Sequence, residues 1–212
     1  MAKIPKKNAD VASLGVRVVT HWVNYPSLTL EFITQADAVT LTTNYYNMIL
    51  QTNEGMGSER DKVRSMRALD KEINTNLYYL KLLIEMEYGR NDLQSHYADF
   101  GIKKENGSYN IPSDRDSRLQ ALRLTVSSLA TAPFSGSTYG LAYWQNILTQ
   151  YEAEKIALEA EVGKVSGDVF NKNLLKDEVV ELLRSFKHLL IANYPKSYIG
   201  MLREFGYLDE YA

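Results

Sequence analysis

The chain has no cysteine in its 212 residues. Disulfides, thiolate metal centres and cysteine nucleophiles are therefore excluded. This fits a reducing compartment, and a cytoplasmic location is the expectation. No apolar run approaches the ~20 residues that a membrane-spanning helix needs. The early lysines Lys3, Lys6 and Lys7 are followed by Asn8 and Asp10 instead of an apolar stretch, so a secretory leader is not expected. An excess of one charge is also missing: 24 Lys and Arg against 26 Asp and Glu leave a net charge of −2. Without a basic field, nucleic acid and anionic membranes are not expected partners.

Catalytic signatures are equally scarce. A carboxylate-bridged metal in a helical bundle needs Glu-x-x-His pairs on two helices and two further inward glutamates. None of His21, His96 or His188 has Glu three residues before it. No Gly-x-Ser-x-Gly elbow occurs. The glycine clusters Gly55-Met56-Gly57 and Gly136–Gly140 lack the lysine and preceding strand of a phosphate loop. No metal, cofactor or catalytic residue is assigned.

What the sequence does hold is helical periodicity. Val11, Leu14, Val18 and Trp22 carry helical spacing, although Val16, Val18 and Trp22 also fit a strand; a helix over 8–23 is the preferred reading. Asn24-Tyr25-Pro26 ends it, and Leu28 to Ile33 reads as extended. Thr34-x-x-Asp37 resembles a capping box opening a helix with Ala36, Val39, Thr43, Tyr46 and Leu50 along its seam. The two glycines of Asn53–Gly57 suggest a loop, after which Ser58-x-x-Asp61 caps a helix with seam Met66, Leu69, Ile73, Leu77, Leu80 and Ile84. Asn106-Gly107 is a type I′ turn dipeptide that would set Ile102 opposite Ile111 in a small hairpin. Ser113-x-x-Asp116 caps the next helix, with seam Leu119, Leu122, Val126 and Leu129. A long helix follows with Leu141, Trp144, Leu148, Tyr151, Leu158, Val162, Val165 and Val169, interrupted by Lys155, whose expected role is to snorkel from the bundle edge. A turn is expected at Asn171–Asn173, and Leu175, Val179, Leu182, Phe186 and Leu189 then continue the rhythm to Tyr194-Pro195.

The two halves correspond. Tyr45-Tyr46 with Ile49-Leu50 matches Tyr143-Trp144 with Ile147-Leu148, and Phe100-Gly101 matches Phe205-Gly206. If the glycines sit at C′, each pair closes its helix as a Schellman cap. The expectation is an all-α antiparallel helical bundle with four long helices plus shorter ones. It would be one compact domain over 1–212, built from two tandem repeats of about 8–102 and 113–211 joined by a hairpin-like linker at 103–112.

Fifteen tyrosines against six Phe and two Trp suit helical faces with an apolar body and a polar tip. The favoured function is a non-catalytic structural or interaction protein whose partner is another protein or itself. The alternative is a small-ligand binder or enzyme with a pocket between the repeats, for which Trp22, Tyr46 and Trp144 are the candidate lining. Arg60, Arg64 and Arg67 form a candidate anion or partner patch, although the interleaved Glu59, Asp61 and Asp70 are the pattern of a solvated face.

Overall fold

The computed structural model describes residues 3–90, 93–105 and 107–207. Among them are six helices: α1 Asn8–Trp22, α2 Gln35–Tyr88, α3 Leu93–Asp99, α4 Arg115–Leu129, α5 Leu141–Asn193 and α6 Tyr198–Glu204. The strands β1 Lys103–Glu105 and β2 Ser108–Asn110 pair antiparallel between α3 and α4, with Lys104 opposite Tyr109. That register continues to Ile102 across from Ile111, and both are buried. The turn between the strands includes residue 106, which lies outside the described residues. The protein is an all-α bundle, and α1 confirms the helical reading of 8–23. Residues 28–33 join α1 to α2 without forming a strand.

The two breaks expected within the long helices do not occur. α2 runs 54 residues without interruption through Asn53–Gly57, and α5 runs 53 residues through Asn171–Asn173. Four long helices are thus two very long ones. Glycine inside a helix costs only about 1 kcal/mol, against about 3 for proline, and no proline occurs between Pro26 and Pro112 or between Pro133 and Pro195. Packing on both sides of the glycines exceeds that small cost: Thr52 and Gly55 are buried, as is Met66 about three turns further on. Ser58 and Asp61 are therefore helix interior and not a cap, and Asp61 pairs with Arg64 at 2.8 Å.

The chain falls into two compact units. The first is Met1–Gly57 with Gly163–Ala212, and the second is Ser58–Val162. The first unit therefore takes α1, the N-terminal part of α2, the C-terminal part of α5, and α6. In it α1 buries Val11, Leu14, Val18 and Trp22 against Tyr45 of α2 and Val179, Leu182, Leu183, Phe186 and Leu190 of α5. Gly15 lets α1 approach closely, since a Cβ there would stand 3.1 Å from Thr42 and 3.3 Å from Val179. Phe205, the C-cap of α6, closes the end of this core, its ring 5.1 Å from Phe186.

The second unit packs α3 and α4 against the C-terminal part of α2 and the N-terminal part of α5. The expected seam Met66, Leu69, Ile73, Leu77, Leu80 and Ile84 is buried in full. Along α5, Trp144, Leu148, Tyr151 and Leu158 are buried as expected, but Val162 is exposed. Lys155 holds the edge position expected of it: its ammonium lies 2.9 Å from Asp116 and also bonds Glu159.

The start of α4 is displaced by one residue from the Ser113 cap. Asp114 is the N-cap, and its carboxylate accepts the Ser117 amide at 2.9 Å. That backbone donor holds the Asp114 carboxyl below its ordinary value. A depressed folded-state pKa gives a contribution that is complete above the ordinary aspartate range and lost as pH falls through the folded value. The Asp114→Asn variant should keep the cap at pH 7. Its melting temperature should fall less between pH 7 and pH 3 than that of the wild type, which calorimetry at the two pH values would show.

Candidate interaction face

α1 and the N-terminal part of α2 run antiparallel in the first unit. The Tyr45 hydroxyl donates to the Asn8 carbonyl at one end, and Gly15 meets Thr42 further along. The inward stripe of α2 is Ala38, Thr42, Tyr45 and Thr52, all buried, with Ile49 half-buried. The stripe expected from the sequence, Ala36, Val39, Thr43, Tyr46 and Leu50, is instead the exposed neighbour of the true seam. Val39, Tyr46 and Leu50 are 41%, 49% and 46% exposed. Stripes one residue apart on a helix are about 100° apart around its axis. This stretch is apolar on both, so its periodicity does not reveal which of them faces the core.

The outward stripe lines two shallow cavities with α1. Val16, Val19, Thr20, Val23 and Asn24 face Val39, Thr42 and Thr43 across one of about 570 Å³. Ala9, Ala12, Ser13 and Val16 face Tyr46, Ile49, Leu50 and Asn53 across another of about 460 Å³. Val16 borders both, so the cavities form one groove along the α1/α2 seam. Its rims are Ala9, Ser13, Val16, Thr20 and Val23 on α1 and Val39, Thr43, Tyr46, Leu50 and Asn53 on α2, and every one is exposed. Both rims step by four and three residues, the spacing of a helix that meets another helix at a shallow angle.

No rim residue is charged. Between Asn8 and Asn53 the only charged residues are Asp10, Arg17, Glu31 and Asp37, where the chain's 24% charged content would place about eleven. Depletion of charge over a half-apolar, aromatic-containing surface is the compositional mark of an interface core. The sequence carried this signal as a run poor in Lys, Arg, Asp and Glu.

The other candidate residues lie apart from this groove. Trp22 is a core residue of the first unit, its ring tilted against Phe186 with centroids 4.9 Å apart, and its indole donates to the Leu28 carbonyl at 2.7 Å. Trp144 is fully buried in the second unit, and its indole nitrogen has no hydrogen-bond partner among the described residues. Of the three proposed pocket residues, Tyr46 lines the groove, whereas Trp22 and Trp144 are buried core residues. Arg60, Arg64 and Arg67 are exposed on α2, with Arg64 paired to Asp61. The second unit carries a tyrosine cluster in which Tyr79 stacks on Tyr139 at 4.3 Å and Tyr139 meets Tyr143 at 5.1 Å. The Tyr143 hydroxyl donates to Glu72 and accepts from Asn76, and burial with the Glu72 bond pushes it well above the ordinary tyrosine value. Those rings are engaged with one another.

A third cavity, of about 460 Å³, lies among Ser113, Asp114, Arg115, Asp116, Lys155, Leu158 and Glu159. Its lysine is neutralised by two carboxylates, which raise its pKa. No group of three or more His, Asp or Glu is placed to hold a metal among the described residues, and no described helix is long and apolar enough to cross a membrane. Comparison with known protein families finds no match, and neither does comparison with curated proteins or with solved structures.

Proposed function

We propose that this is a non-catalytic interaction protein whose α1/α2 groove receives a helix. The observation that carries this reading is the pair of facing, uncharged rims with four-three spacing, exposed although half of their residues are apolar. A helix laid in the groove would complete a shallow-angle bundle and remove Val16, Val39, Tyr46 and Leu50 from water. Tyr46 is the natural anchor: it is the largest rim side chain and lies midway along its helix face, where aromatic hot spots concentrate. The series of a 15-residue helix, a helix of 54 or 53 residues and a 7-residue helix occurs twice. It supports reading the chain as a tandem duplication in which one copy of the leading helix kept an open groove.

The test is a photo-crosslinking amino acid at 16, 46 or 50, with the exposed position 64 as control, in the full chain expressed in cells. Adducts should form from all three groove positions and not from the control. Absence of adducts at the groove, or equal labelling at the control, would exclude the reading.

A further inference from the structure

We infer that the occupant of the α1/α2 groove is a second copy of this chain, docked face to face about a two-fold axis. The inference rests on the interaction reading above and adds the identity of the partner. Charge is the first reason. Interfaces reject wrong partners by placing like charges against each other, and choose foreign ones by complementary rims. The ten rim positions carry no charge at all, so nothing on this face selects a partner of opposite sign or repels an identical face. An uncharged surface is complementary to itself.

Geometry is the second reason. α1 and α2 are antiparallel, and Val16 stands where the two cavities meet, facing Thr43 and Tyr46. A two-fold axis through this midpoint lays the α1 rim of each copy along the α2 rim of the other. Both rims step by four and three residues, so side chains of one copy fall between those of its partner, as in a bundle of two helical pairs. Val16 and Tyr46 then lie close to their own counterparts.

Size predicts the strength. At 1.5 Å per residue α1 is about 22 Å long, and two helices about 10 Å apart present a face roughly 20 Å wide. Each partner would then bury about 450 Å², or about 900 Å² in all, below the ~1,200 Å² at which stable interfaces begin. The dimer should therefore be weak and concentration-dependent.

Sedimentation equilibrium of the full chain tests this, beside Leu50→Glu in the groove and Leu124→Glu on the exposed face of α4 as control. The wild type and the control should rise from the 24.1 kDa chain mass toward twice that value with concentration, while Leu50→Glu stays monomeric with unchanged circular dichroism. Because the chain has no native cysteine, Tyr46→Cys and Ile156→Cys each introduce a single thiol. Under mild oxidation Tyr46→Cys should form covalent dimer at least ten-fold faster than the exposed Ile156→Cys, a comparison that stands even if Leu50→Glu misfolds. A wild type monomeric at every concentration overturns self-association. If groove crosslinks to another protein persist in that case, the interaction reading survives; if they are absent, both fall. A dimer that persists unchanged in Leu50→Glu, or equal trapping of the two thiols, also overturns the proposal.

Discussion

Alanine at Gly101 should lower the melting temperature by roughly 10 °C, between two and three times the loss from alanine at Gly206. The two glycines have the same local geometry. Gly101 has φ +73° and Gly206 φ +82°. Each follows the Phe that ends a seven-residue helix, and each completes a Schellman cap. The Gly101 amide bonds Ala98 and the Ile102 amide bonds Tyr97; likewise Gly206 bonds Arg203 and Tyr207 bonds Leu202. An alanine held at positive φ costs about 1–2 kcal/mol at either site.

The surroundings separate them. At Gly101 an added Cβ would stand 2.5 Å from the Ala121 carbonyl oxygen and 2.8 Å from its Cα, so the α4 backbone would have to move. At Gly206 the nearest atoms belong to the exposed, flexible side chain of Arg17, which can swing away. Displacing packed backbone adds at least 2 kcal/mol, for a total near 4 at Gly101 against about 1.5 at Gly206. At this chain length each kcal/mol shifts the midpoint by about 2–4 °C. Thermal unfolding of both variants decides the matter, and equal losses would mean that the α3–α4 contact is looser than described.

Removing Arg118 should cost about 3–5 kcal/mol, which denaturant unfolding would register as a lower midpoint at unchanged slope. Arg118 lies within α4 with only 3% of its surface exposed. Its Nε donates to the Pro112 carbonyl at 2.6 Å, one terminal nitrogen pairs with the Asp70 carboxylate, and the other reaches Asn74 at 3.4 Å. The guanidinium thus ties the chain entering α4 to α2. Asp70 also accepts from the Tyr151 hydroxyl at 3.4 Å; burial first, and the Asp70 charge second, push that hydroxyl up to about 12.

Arg118→Ala leaves a carboxylate and a carbonyl without their donor, together with a cavity. Arg118→Met fills the volume and should lose less. In a double-mutant cycle with Asp70→Asn, the coupling should exceed 1 kcal/mol. Additive losses would show that the ion pair contributes nothing and that Arg118 acts by packing alone. α1 buries Val11, Leu14, Val18 and Trp22, and α4 buries Arg118, Ala121, Thr125 and Leu129 at the same spacing. An arginine in an inward position is invisible to a search for apolar periodicity, because only its partners make burial tolerable.

Much of the fold was legible in the residues themselves. The seam from Met66 to Ile84, the helical state of 8–23, the Thr34–Asp37 cap and the paired Phe-Gly stops all follow from short-range chemistry. The Thr34 hydroxyl accepts the Asp37 amide at 3.2 Å and donates to the Asp37 carboxylate at 2.7 Å. Such features depend on neighbours within a few residues, where spacing and side-chain type are sufficient.

Other features depended on distant partners. Helix breaking at Asn53–Gly57 and Asn171–Asn173 is a contest between a small local penalty and the packing of remote residues, and only the tertiary structure decides it. The inward face of early α2 is a similar case. Val39, Tyr46 and Leu50 read as core because they are apolar at helical spacing, yet Ala38, Thr42 and Tyr45 took that place. A helix with two apolar stripes turns one to α1 and α5, and the choice rests on which stripe their side chains fit. By itself the sequence determined that this protein is helical, where most helices end, and that residues 8–53 are poor in charge. The tertiary structure decided which apolar stripe was left outside, because burial belongs to the assembled helices and not to any one of them.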